Sequence, residues 1–481
     1  MTPIDLAHTG RLENAPRATV FVDIADYLAA AKSTMDQARR SIHLLNWAFE
    51  PDTRFDPTSD TAEGEIGEYL KARAAAGLDV RLLCWKAPLM VAAGQHFFTW
   101  RDRHVFRGSA VKLLLDNGHP FGACHHQKMI VVDDAVAFCG GADMGPDRWD
   151  TQAHLDDDPR RKHGRKTYDS RHEVMAVVDG PAASALGDIF RERWRRACGE
   201  ILPRPGPIAP EAWPERVGAD LTDVGARISR TVGAWRGHPE VREAFALTLA
   251  SFAAAQRTIY LENQYFTSPV AAEALAARLQ EPDGPEVIMV APQHSPSWFD
   301  RMTMDRTRVE FIKRLMTADR FGRFHSYSPV TTLGRIIIVH AKLAIVDDDF
   351  LRIGSANLNN RSTGFDTECD LTFHARTESN RGFIGVLRNR LVAHWLGCDS
   401  SELGAALRAQ GRLGAAIETL RAAGRNRLRS LGPRRLSPVA RFVAAFHLGD
   451  PVGPDDSFHL VRRQRRLAAD ARAVARALNS R

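Results

Sequence analysis

The sequence predicts an α/β protein with a mixed sheet that is built from two similar halves. The motif His-x-Lys-x4-Asp, with Gly seven residues after the Asp, occurs at 126–140 and again at 340–354. The flanks repeat as well: ARRSIHLLNWAF (38–49) aligns with AQRTIYLENQYF (255–266). Both flanking stretches are helix-like at the start and strand-like at the end. Two motifs in one register, with matching flanks, indicate an internal duplication.

Each half is predicted to run helix, strand, helix, strand, motif hairpin, and then a closing helix with a Trp. The closing helices are IFRERWRRAC (189–198) and LRNRLVAHWLGC (387–398). Strands that alternate with helices favour a layered α/β structure. Prolines crowd the stretch between the halves and predict a stiff linker. The predicted segments are an N-terminal tail (1–20), a first domain (21–202), the linker (203–225), a second domain (226–400) and an Arg-rich helical C-terminal tail (401–481).

The motif puts a His and a Lys on one face of a strand. Residues i and i+2 of a strand point the same way, so His126 lies beside Lys128, and His340 beside Lys342. Only nine of the 65 basic residues are Lys, and two of the nine occupy these positions. A compact ammonium group is therefore predicted to be needed there, rather than a guanidinium fork. The Asp-rich segments that follow each motif are predicted to be hairpin turns.

Two His, two Lys and two small polar residues, brought together by a pseudo-twofold axis, suit a phosphodiester. Ammonium groups neutralise the non-bridging oxygens, one imidazole attacks phosphorus and the other protonates the leaving alcohol. Glu173 and Glu368 are each expected to hydrogen-bond one His and fix its tautomer. No metal or cofactor is expected, because the Lys pair supplies the positive charge. The predicted catalytic residues are His126, Lys128, Asp133, Glu173, His340, Lys342, Asp347 and Glu368; the predicted substrate-binding residues are Gly140, Asp143, Gly354, Ser355 and Asn357.

Charge is spread unevenly along the chain. The net charge of the 481 residues is +7, but residues 401–481 hold 16 Arg and six acidic residues, a net charge of +10. This segment is expected either to meet anionic lipid or nucleic acid or to be a solvated helical face. Its end has apolar residues at helical spacing, which predicts a basic amphipathic helix; these are Leu460, Leu467, Val474 and Leu478.

Compartment is indicated by what the sequence lacks. No apolar stretch approaches the roughly 18 residues of a membrane span, and no secretory signal is recognisable. Six Cys without a C-x-x-C pair predict reduced thiols and no Cys-based metal site. A cytoplasmic or peripheral membrane location is therefore expected. The protein is also expected to be a monomer.

Two further features have open interpretations. The first half carries a polar insertion (144–172), which is either a surface loop or a lid over the site. Apolar residues near the motifs either line an acyl groove or pack in the core. These residues are Trp85, Met90, Phe97, Phe98, Trp100, Trp298, Phe299 and Met302.

The duplicated motif resembles the signature of the phospholipase D superfamily over roughly residues 20–400. GGADMGPDRWDTQAH, HEVMAVVDGPAA and YLENQYF resemble segments of its eukaryotic-type branch. Glu173 stands where that branch usually has Asp, and Arg171 where it often has Trp. The resemblance implies two α/β/α domains with one site between them, His126 as nucleophile and His340 as general acid and base. It does not imply calcium dependence.

The expected function is phospholipase D-type cleavage of the headgroup phosphodiester of a glycerophospholipid, with transfer to an alcohol as a second outcome. The alternatives are a cardiolipin synthase-like phosphatidyltransferase, a nuclease or DNA-end phosphodiesterase, and a non-catalytic scaffold. Two intact motifs weigh against the scaffold. No nucleic acid partner is expected, because aromatic residues do not interleave with the Arg residues of the tail.

Overall fold

A computed structural model of the chain describes residues 8–88, 91, 99–205 and 212–479. Strands account for one large sheet and two short ribbons. In chain order the strands are β1 (Arg11–Val22), β2 (Ser41–Asn46), β3 (Asp79–Trp85), β4 (Lys112–Asp116), β5 (Met129–Val132), β6 (Val136–Gly140), β7 (Lys162–His163), β8 (Lys166–Thr167), β9 (Arg171–His172), β10 (Val174–Asp179), β11 (Leu221–Val232), β12 (Val241–Arg242), β13 (Thr258–Asn263), β14 (Glu286–Val290), β15 (Phe324–Pro329), β16 (Ile338–Val339), β17 (Lys342–Val346), β18 (Phe350–Gly354), β19 (Glu368–His374) and β20 (Leu428–Ser430).

The α-helices follow the strands in the alternating order that the sequence predicts. In chain order they are α1 (Ile24–Asp36), α2 (Ile66–Ala75), α3 (Thr99–Val105), α4 (Gly180–Cys198), α5 (Glu243–Ala254), α6 (Pro269–Gln280), α7 (Trp298–Met302), α8 (Met304–Ala318), α9 (Arg361–Gly364), α10 (Glu378–Leu396), α11 (Ser400–Gln410), α12 (Leu413–Ala422), α13 (Pro438–Ala445) and α14 (Leu460–Asn479).

One mixed sheet runs through both halves. Its centre is the antiparallel pair β1 and β11, in register from Ala18↔Leu221 to Arg11↔Ile228. From β1 outward the order is β10, β6, β5, β2, β3 and β4; from β11 it is β19, β18, β17, β13, β14 and β15. Each strand on one side thus has a counterpart on the other, as a pseudo-twofold axis requires. The predicted fold class, two tandem α/β domains with mixed sheets, is confirmed.

Helices cover both faces of the sheet. On one face α4 and α10 lie over a single core that includes strand residues of both halves; their large members are Phe190, Trp194 and Trp395. On the other face each half has its own core, under α1 and α2 in the first and under α5, α6 and α8 in the second. Because both faces are covered, strands such as β10 (VMAVVD) are buried along their whole length.

Two of the predicted boundaries differ in the structure. The predicted tail (1–20) contains most of β1, and the predicted linker (203–225) already contains the start of β11. Pro16 and the polar residues around it break the alternation in β1, so its first part does not look like a strand. Its second part, Ala18 to Val22, is buried and pairs with β10, whereas Arg11 to Ala18 pair with β11. The long strand that opens each half is therefore an element that the sequence pattern does not predict.

The predicted C-terminal tail (401–481) packs onto the second half. Strand β20 extends the sheet beside β15, and α14 lies against α6. The apolar side of α14 is used in this contact: Leu467 is buried, and Val474 and Leu478 pack against the core of the second half. The Arg residues of α14 are exposed apart from Arg463 and Arg466. The basic face of α14 is therefore exposed to solvent, as both expectations for this segment require. Among the helices of the described residues, none has the length and hydropathy to cross a bilayer.

Candidate functional site

The two motif histidines face one cavity between the halves. His126 precedes β5, and His340 lies between β16 and β17. The strand order therefore brings both to the boundary between the two halves, called the seam below. Both side chains line a cavity of about 700 Å³, together with Asp143, Asn357 and Glu368. The duplicated motif therefore forms a single site.

Each histidine is held by a glutamate from the other half. His126 Nδ1 lies 2.8 Å from Glu368 Oε2, and His340 Nδ1 contacts Glu173 Oε1. Both carboxylates are completely buried, whereas the imidazoles keep a small exposed fraction on the cavity side. With Nδ1 against a carboxylate, the Nε2 atom of each ring is left for chemistry in the cavity.

Main-chain contacts across the seam produce this exchange of partners. The N–H of His126 donates to the carbonyl of Thr367 (3.0 Å), and the N–H of His340 donates to the carbonyl of His172 (2.9 Å). Each acceptor is the residue immediately before the glutamate. Strand β16 also pairs in parallel with β9, which extends the second of these contacts. The glutamate of one half is thus delivered to the histidine of the other.

The two motif lysines are buried beside the histidines. Lys128 Nζ donates to the carbonyl of His126 (2.8 Å) and lies 3.6 Å from Asp143 Oδ2. Lys342 Nζ donates to the carbonyl of His340 and lies 3.3 Å from Gln264 Oε1. Burial lowers the pKa of Lys342 to about 7, although the Glu173 carboxylate opposes that shift. An anion placed between the lysines would be stabilised by both.

Burial also controls the protonation of the His–Glu pairs. Burial and the charges of Lys128 and Lys342 hold the pKa of His126 well below its usual range. Burial, followed by the charge of Lys342, does the same for His340. Burial raises the pKa of Glu368 to about 8 and also raises the pKa of Glu173. These shifts favour the neutral form of both imidazoles, which is the form that a nucleophile or a base needs.

Asp133 and Asp347, which were predicted to be catalytic, do not line the cavity. The Asp133 carboxylate accepts the backbone N–H groups of residues 39–41, and that of Asp347 accepts those of residues 256–258. Both residues lie in the hairpin turns, with positive φ angles of 55° and 53°. Each aspartate lies seven positions after its motif histidine. In an extended chain this corresponds to a distance of roughly 20 Å. Their role is to join the turn to the start of β2 or β13.

The predicted substrate-binding residues divide into two groups. Asp143 and Asn357 line the cavity. Ser355 is buried behind it and donates to Glu368 Oε2 (2.5 Å), so it positions the carboxylate. A Cβ at Gly140 would collide with Met175, and one at Gly354 with Asp370, so these glycines allow close strand packing and do not line the cavity.

Four cavity residues were not assigned a role from the sequence. Ser362 donates to Glu368 Oε1 (2.7 Å), and Gln264 contacts Lys342. Arg148 and Arg171 add positive charge to the cavity wall near His340, and burial lowers the pKa of Arg171 to about 10. Arg148 and Gln264 lie in stretches that carry the resemblance, so their sequence context was a usable signal.

Aromatic residues line part of the remaining wall of the cavity. Of the apolar residues proposed from the sequence, Trp85 and Phe299 line it. Trp298 is mostly exposed and Met302 half-buried, and neither lines the cavity. Met90, Phe97, Phe98 and the side chain of Trp100 lie outside the described residues. Further aromatic lining comes from residues that the sequence did not single out: Trp47, Phe121, Trp235, Tyr265, Phe365 and Phe458.

The insertion (144–172) is a strap between the halves. Asp156 accepts from Thr331 Oγ1 (2.5 Å) and Leu333 N (2.9 Å), and Asp157 pairs with Arg335. Its His154 is buried. Neither a loose surface loop nor a simple lid describes this segment, although Arg148 and Arg171 at its two ends reach the cavity.

Family models match both halves. The model described as phospholipase D matches residues 34–204, and the model described as the phospholipase D-like domain of cardiolipin synthase matches residues 249–384. Phospholipase D A of Dictyostelium discoideum is 22% identical over 428 residues, which cover 75% of this chain and 33% of that protein. Phospholipase D gamma 1 of Arabidopsis thaliana is 32% identical over 204 residues, 34% of this chain and 24% of that one. The chain thus spans a third or less of the length of these two relatives.

Two further similar proteins are named for other activities. Cardiolipin synthase A of Yersinia pseudotuberculosis is 22% identical over 355 residues, which cover 72% of this chain and 63% of the relative. Among solved structures, the phosphatidylserine synthase of Haemophilus influenzae Rd KW20 superposes with a TM-score of 0.56 at 12% identity, over 98% of both chains. At this identity the superposition shows a shared fold and nothing more.

Proposed function

The chain belongs to the phospholipase D superfamily, and on that premise we propose that it cleaves the headgroup phosphodiester of a glycerophospholipid. The observation that carries the proposal is the pair of His–Glu couples, each built from both halves, whose histidines face one cavity and lie beside two buried lysines. The lysines provide an anion site for the phosphate, and the aromatic wall provides an apolar surface for the acyl part.

The proposed reaction has two steps. In the first, Nε2 of His126 attacks phosphorus, a P–N bond forms and the bond from phosphorus to the headgroup oxygen breaks. The proton on His340 passes to the departing headgroup alcohol. The free protein holds His340 neutral, so its proton is acquired when the anionic phosphodiester binds and offsets the charges of Lys342, Arg171 and Arg148.

In the second step a water molecule or an alcohol gives its proton to His340, and its oxygen attacks the phosphohistidine. The P–N bond breaks and returns neutral His126. Water gives phosphatidic acid, and an alcohol gives a phosphatidyl-alcohol. Lys128 and Lys342 neutralise the charge on the phosphoryl oxygens in both steps.

Lipid is favoured over nucleic acid by the mouth of the cavity. Phe121 and Phe458 line the cavity, yet they are 77% and 73% exposed, and their rings lie 6.0 Å apart. An exposed aromatic pair at a cavity rim is typical of contact with an apolar partner. The phosphatidyl donor is therefore the preferred substrate class, and single-stranded DNA is the competing one.

The test of the proposed function uses purified protein with vesicles of phosphatidylcholine, phosphatidylethanolamine or phosphatidylglycerol, and with labelled single-stranded DNA. Mass spectrometry should find phosphatidic acid and free headgroup from at least one lipid, and none with the His126→Ala variant. Cleavage of the DNA without any lipid product would contradict the proposal and favour a nuclease.

An added primary alcohol is expected to divert part of the product to a phosphatidyl-alcohol. The acceptor is chosen after the covalent intermediate has formed, so total consumption of donor lipid should stay nearly constant across the titration. Product ratios measured at each alcohol concentration check this. Phosphatidic acid alone at every concentration would instead indicate direct attack by water. Glycerol or phosphatidylglycerol as the better acceptor would favour the cardiolipin synthase-like reaction.

The pH dependence is expected to show an alkaline limit in kcat/KM near pH 7. Burial lowers the pKa of Lys342 to about 7, so its positive charge is present below that pH and is lost as the pH rises through it. A bound phosphodiester raises this pKa, so the limit in kcat should lie at higher pH. The Lys342→Arg variant keeps its charge, and its kcat/KM should lack the fall near pH 7 at a lower absolute rate. A fall of kcat/KM at the same pH in this variant would assign the limit to another group.

Replacing both Phe121 and Phe458 with aspartate is expected to lower the activity on vesicles more than the activity on short-chain soluble lipid. Loss of two apolar contacts with the lipid surface should lower the ratio of the two activities about tenfold. The matched control is Ile201→Asp, which removes an apolar residue that is 79% exposed and does not line the cavity. An unchanged ratio in the double variant would show that the aromatic rim does not meet the lipid surface.

A further inference from the structure

A buried cluster of two histidines and an aspartate lies behind His340, outside the catalytic cavity. Asp23 follows β1, His154 belongs to the insertion and His172 ends β9. One ligand atom from each residue lies within 4.8 Å of the other two, and the side chains are at most 1% exposed. Neither the reaction proposed above nor the resemblance assigns these residues a role.

Their hydrogen bonds leave lone pairs facing one another. His154 Nδ1 lies 2.9 Å from Asp150 Oδ2, and His172 Nε2 lies 2.7 Å from Glu262 Oε2. A carboxylate only accepts, so each ring places its N–H on that side, and a neutral ring then has a lone pair on its other nitrogen. Those other nitrogens face the two oxygens of Asp23, at 3.5 Å for His154 and 2.9 Å for His172.

A single added proton cannot satisfy both contacts between the histidines and Asp23. Protonation of His172 would satisfy its contact with Asp23 Oδ1. His154 Nε2 and Asp23 Oδ2 would still face each other, and among the described residues neither atom has a hydrogen-bond partner. Two acceptors directed at each other in a buried site are unfavourable unless a second proton or a metal cation lies between them.

The surroundings of the cluster are negatively charged, which also favours a bound cation. The cluster and its immediate partners contain three buried carboxylates: Asp23, Asp150 and Glu262. Arg161 Nη1 lies 3.5 Å from Asp150 and offsets one of these charges. A divalent cation would offset the other two, whereas a single imidazolium would offset only one.

We propose that this cluster binds a divalent transition metal ion of the zinc type through Asp23, His154 Nε2 and His172 Nδ1. The ligand separations of 2.9 and 3.5 Å are near the roughly 3.3–3.6 Å edges of a tetrahedral zinc site. Nitrogen ligands favour zinc over magnesium or calcium. Asp150 and Glu262 would serve as the outer carboxylates that orient metal-bound histidines.

A further buried histidine of the second half lies beside the cluster, outside the group of three whose ligand atoms lie within 4.8 Å of one another. The ring centroid of His394, on α10, lies 5.3 Å from that of His154. Its Nε2 is buried and has no hydrogen-bond partner among the described residues. With this residue the ion would tie the insertion and β1 of the first half to α10 of the second.

The position of the cluster gives the ion a structural effect on the catalytic site. Asp23 Oδ1 also accepts the backbone N–H of Glu173 (3.2 Å), and the carbonyl of His172 accepts the N–H of His340. The metal would therefore hold the main chain on both sides of the Glu173–His340 contact. It would take no part in the two reaction steps.

The test is the metal content of untagged protein that is purified without chelators, measured by inductively coupled plasma mass spectrometry. About one zinc per chain is expected, and cobalt exchanged into the protein should give the visible absorption of a tetrahedral site. His154→Gln and Asp23→Asn should each lower the content at least tenfold. His163→Gln, at a partly exposed His 2.6 Å from Asp52, is the matched control and should keep it.

Anomalous diffraction at the zinc edge from wild-type crystals does not depend on whether the variants fold. A peak between Asp23, His154 and His172 is expected. Wild-type protein that contains no metal and takes up neither zinc nor cobalt would overturn the proposal and leave His172 as a protonated bridge. A peak elsewhere, or loss of metal in His163→Gln alone, would overturn it as well. None of these measurements depends on lipid turnover, so they stand apart from the proposed function.

Discussion

Alanine at His126 or at His340 is expected to lower turnover of a natural lipid by about three orders of magnitude or more. The two imidazoles act as one unit, because one forms the P–N bond while the other moves the proton, so either loss alone removes most of the catalysis. Steady-state release of headgroup measures this effect. His104→Ala, at an exposed histidine of α3, is the matched control and should retain full activity.

The two histidines are expected to differ when the substrate has a good leaving group. Such a leaving group does not need the proton of His340, so His340→Ala should still form the covalent adduct, and mass spectrometry should find it on His126. An adduct on His340 in the His126→Ala variant would reverse the assignment of nucleophile. Substantial turnover of natural lipid by either variant would contradict a single site shared by both halves.

The substitution Glu368→Gln is expected to slow formation of the adduct on His126 by about two to four orders of magnitude. Glu368 Oε2 lies 2.8 Å from His126 Nδ1, and an amide can turn its NH2 group toward that nitrogen and stabilise the wrong tautomer. The comparable change in serine proteases costs about 10⁴ in rate. The measurement is the rate of adduct formation in the His340→Ala background, with the substrate that has a good leaving group.

Glu173→Gln is the matched control for this experiment. Glu173 belongs to the same half as His126, yet its carboxylate contacts His340, which is absent from the background variant. The adduct should therefore form at nearly the unaltered rate. With His340 restored and a natural lipid as substrate, both glutamine variants should lose activity. Equal slowing by both variants in the His340→Ala background would contradict the pairing across the halves.

Several properties of this protein were predictable from short stretches of sequence. The motif spacing predicted Lys128 beside His126 and Lys342 beside His340, and each lysine Nζ does donate to the carbonyl of its histidine. The order of helical and strand-like segments predicted the α/β class, and the duplication predicted two related halves around a pseudo-twofold axis. These features depend on residues within a few positions of one another, or on a comparison of one half with the other.

Other properties were decided only when residues far apart in sequence came together. His126 and Glu368 are 242 positions apart, and their contact depends on the pairing of β1 with β11 and on the main-chain bridge to Thr367. The motif pattern alone suggested that Asp133 and Asp347 act in catalysis, but a strand of fixed rise carries both away from the site. The use of the apolar face of α14 depended on whether α6 offered a surface to cover it. A local pattern determines which way a side chain points along its own element, whereas its partner is determined by the packing of all the other elements.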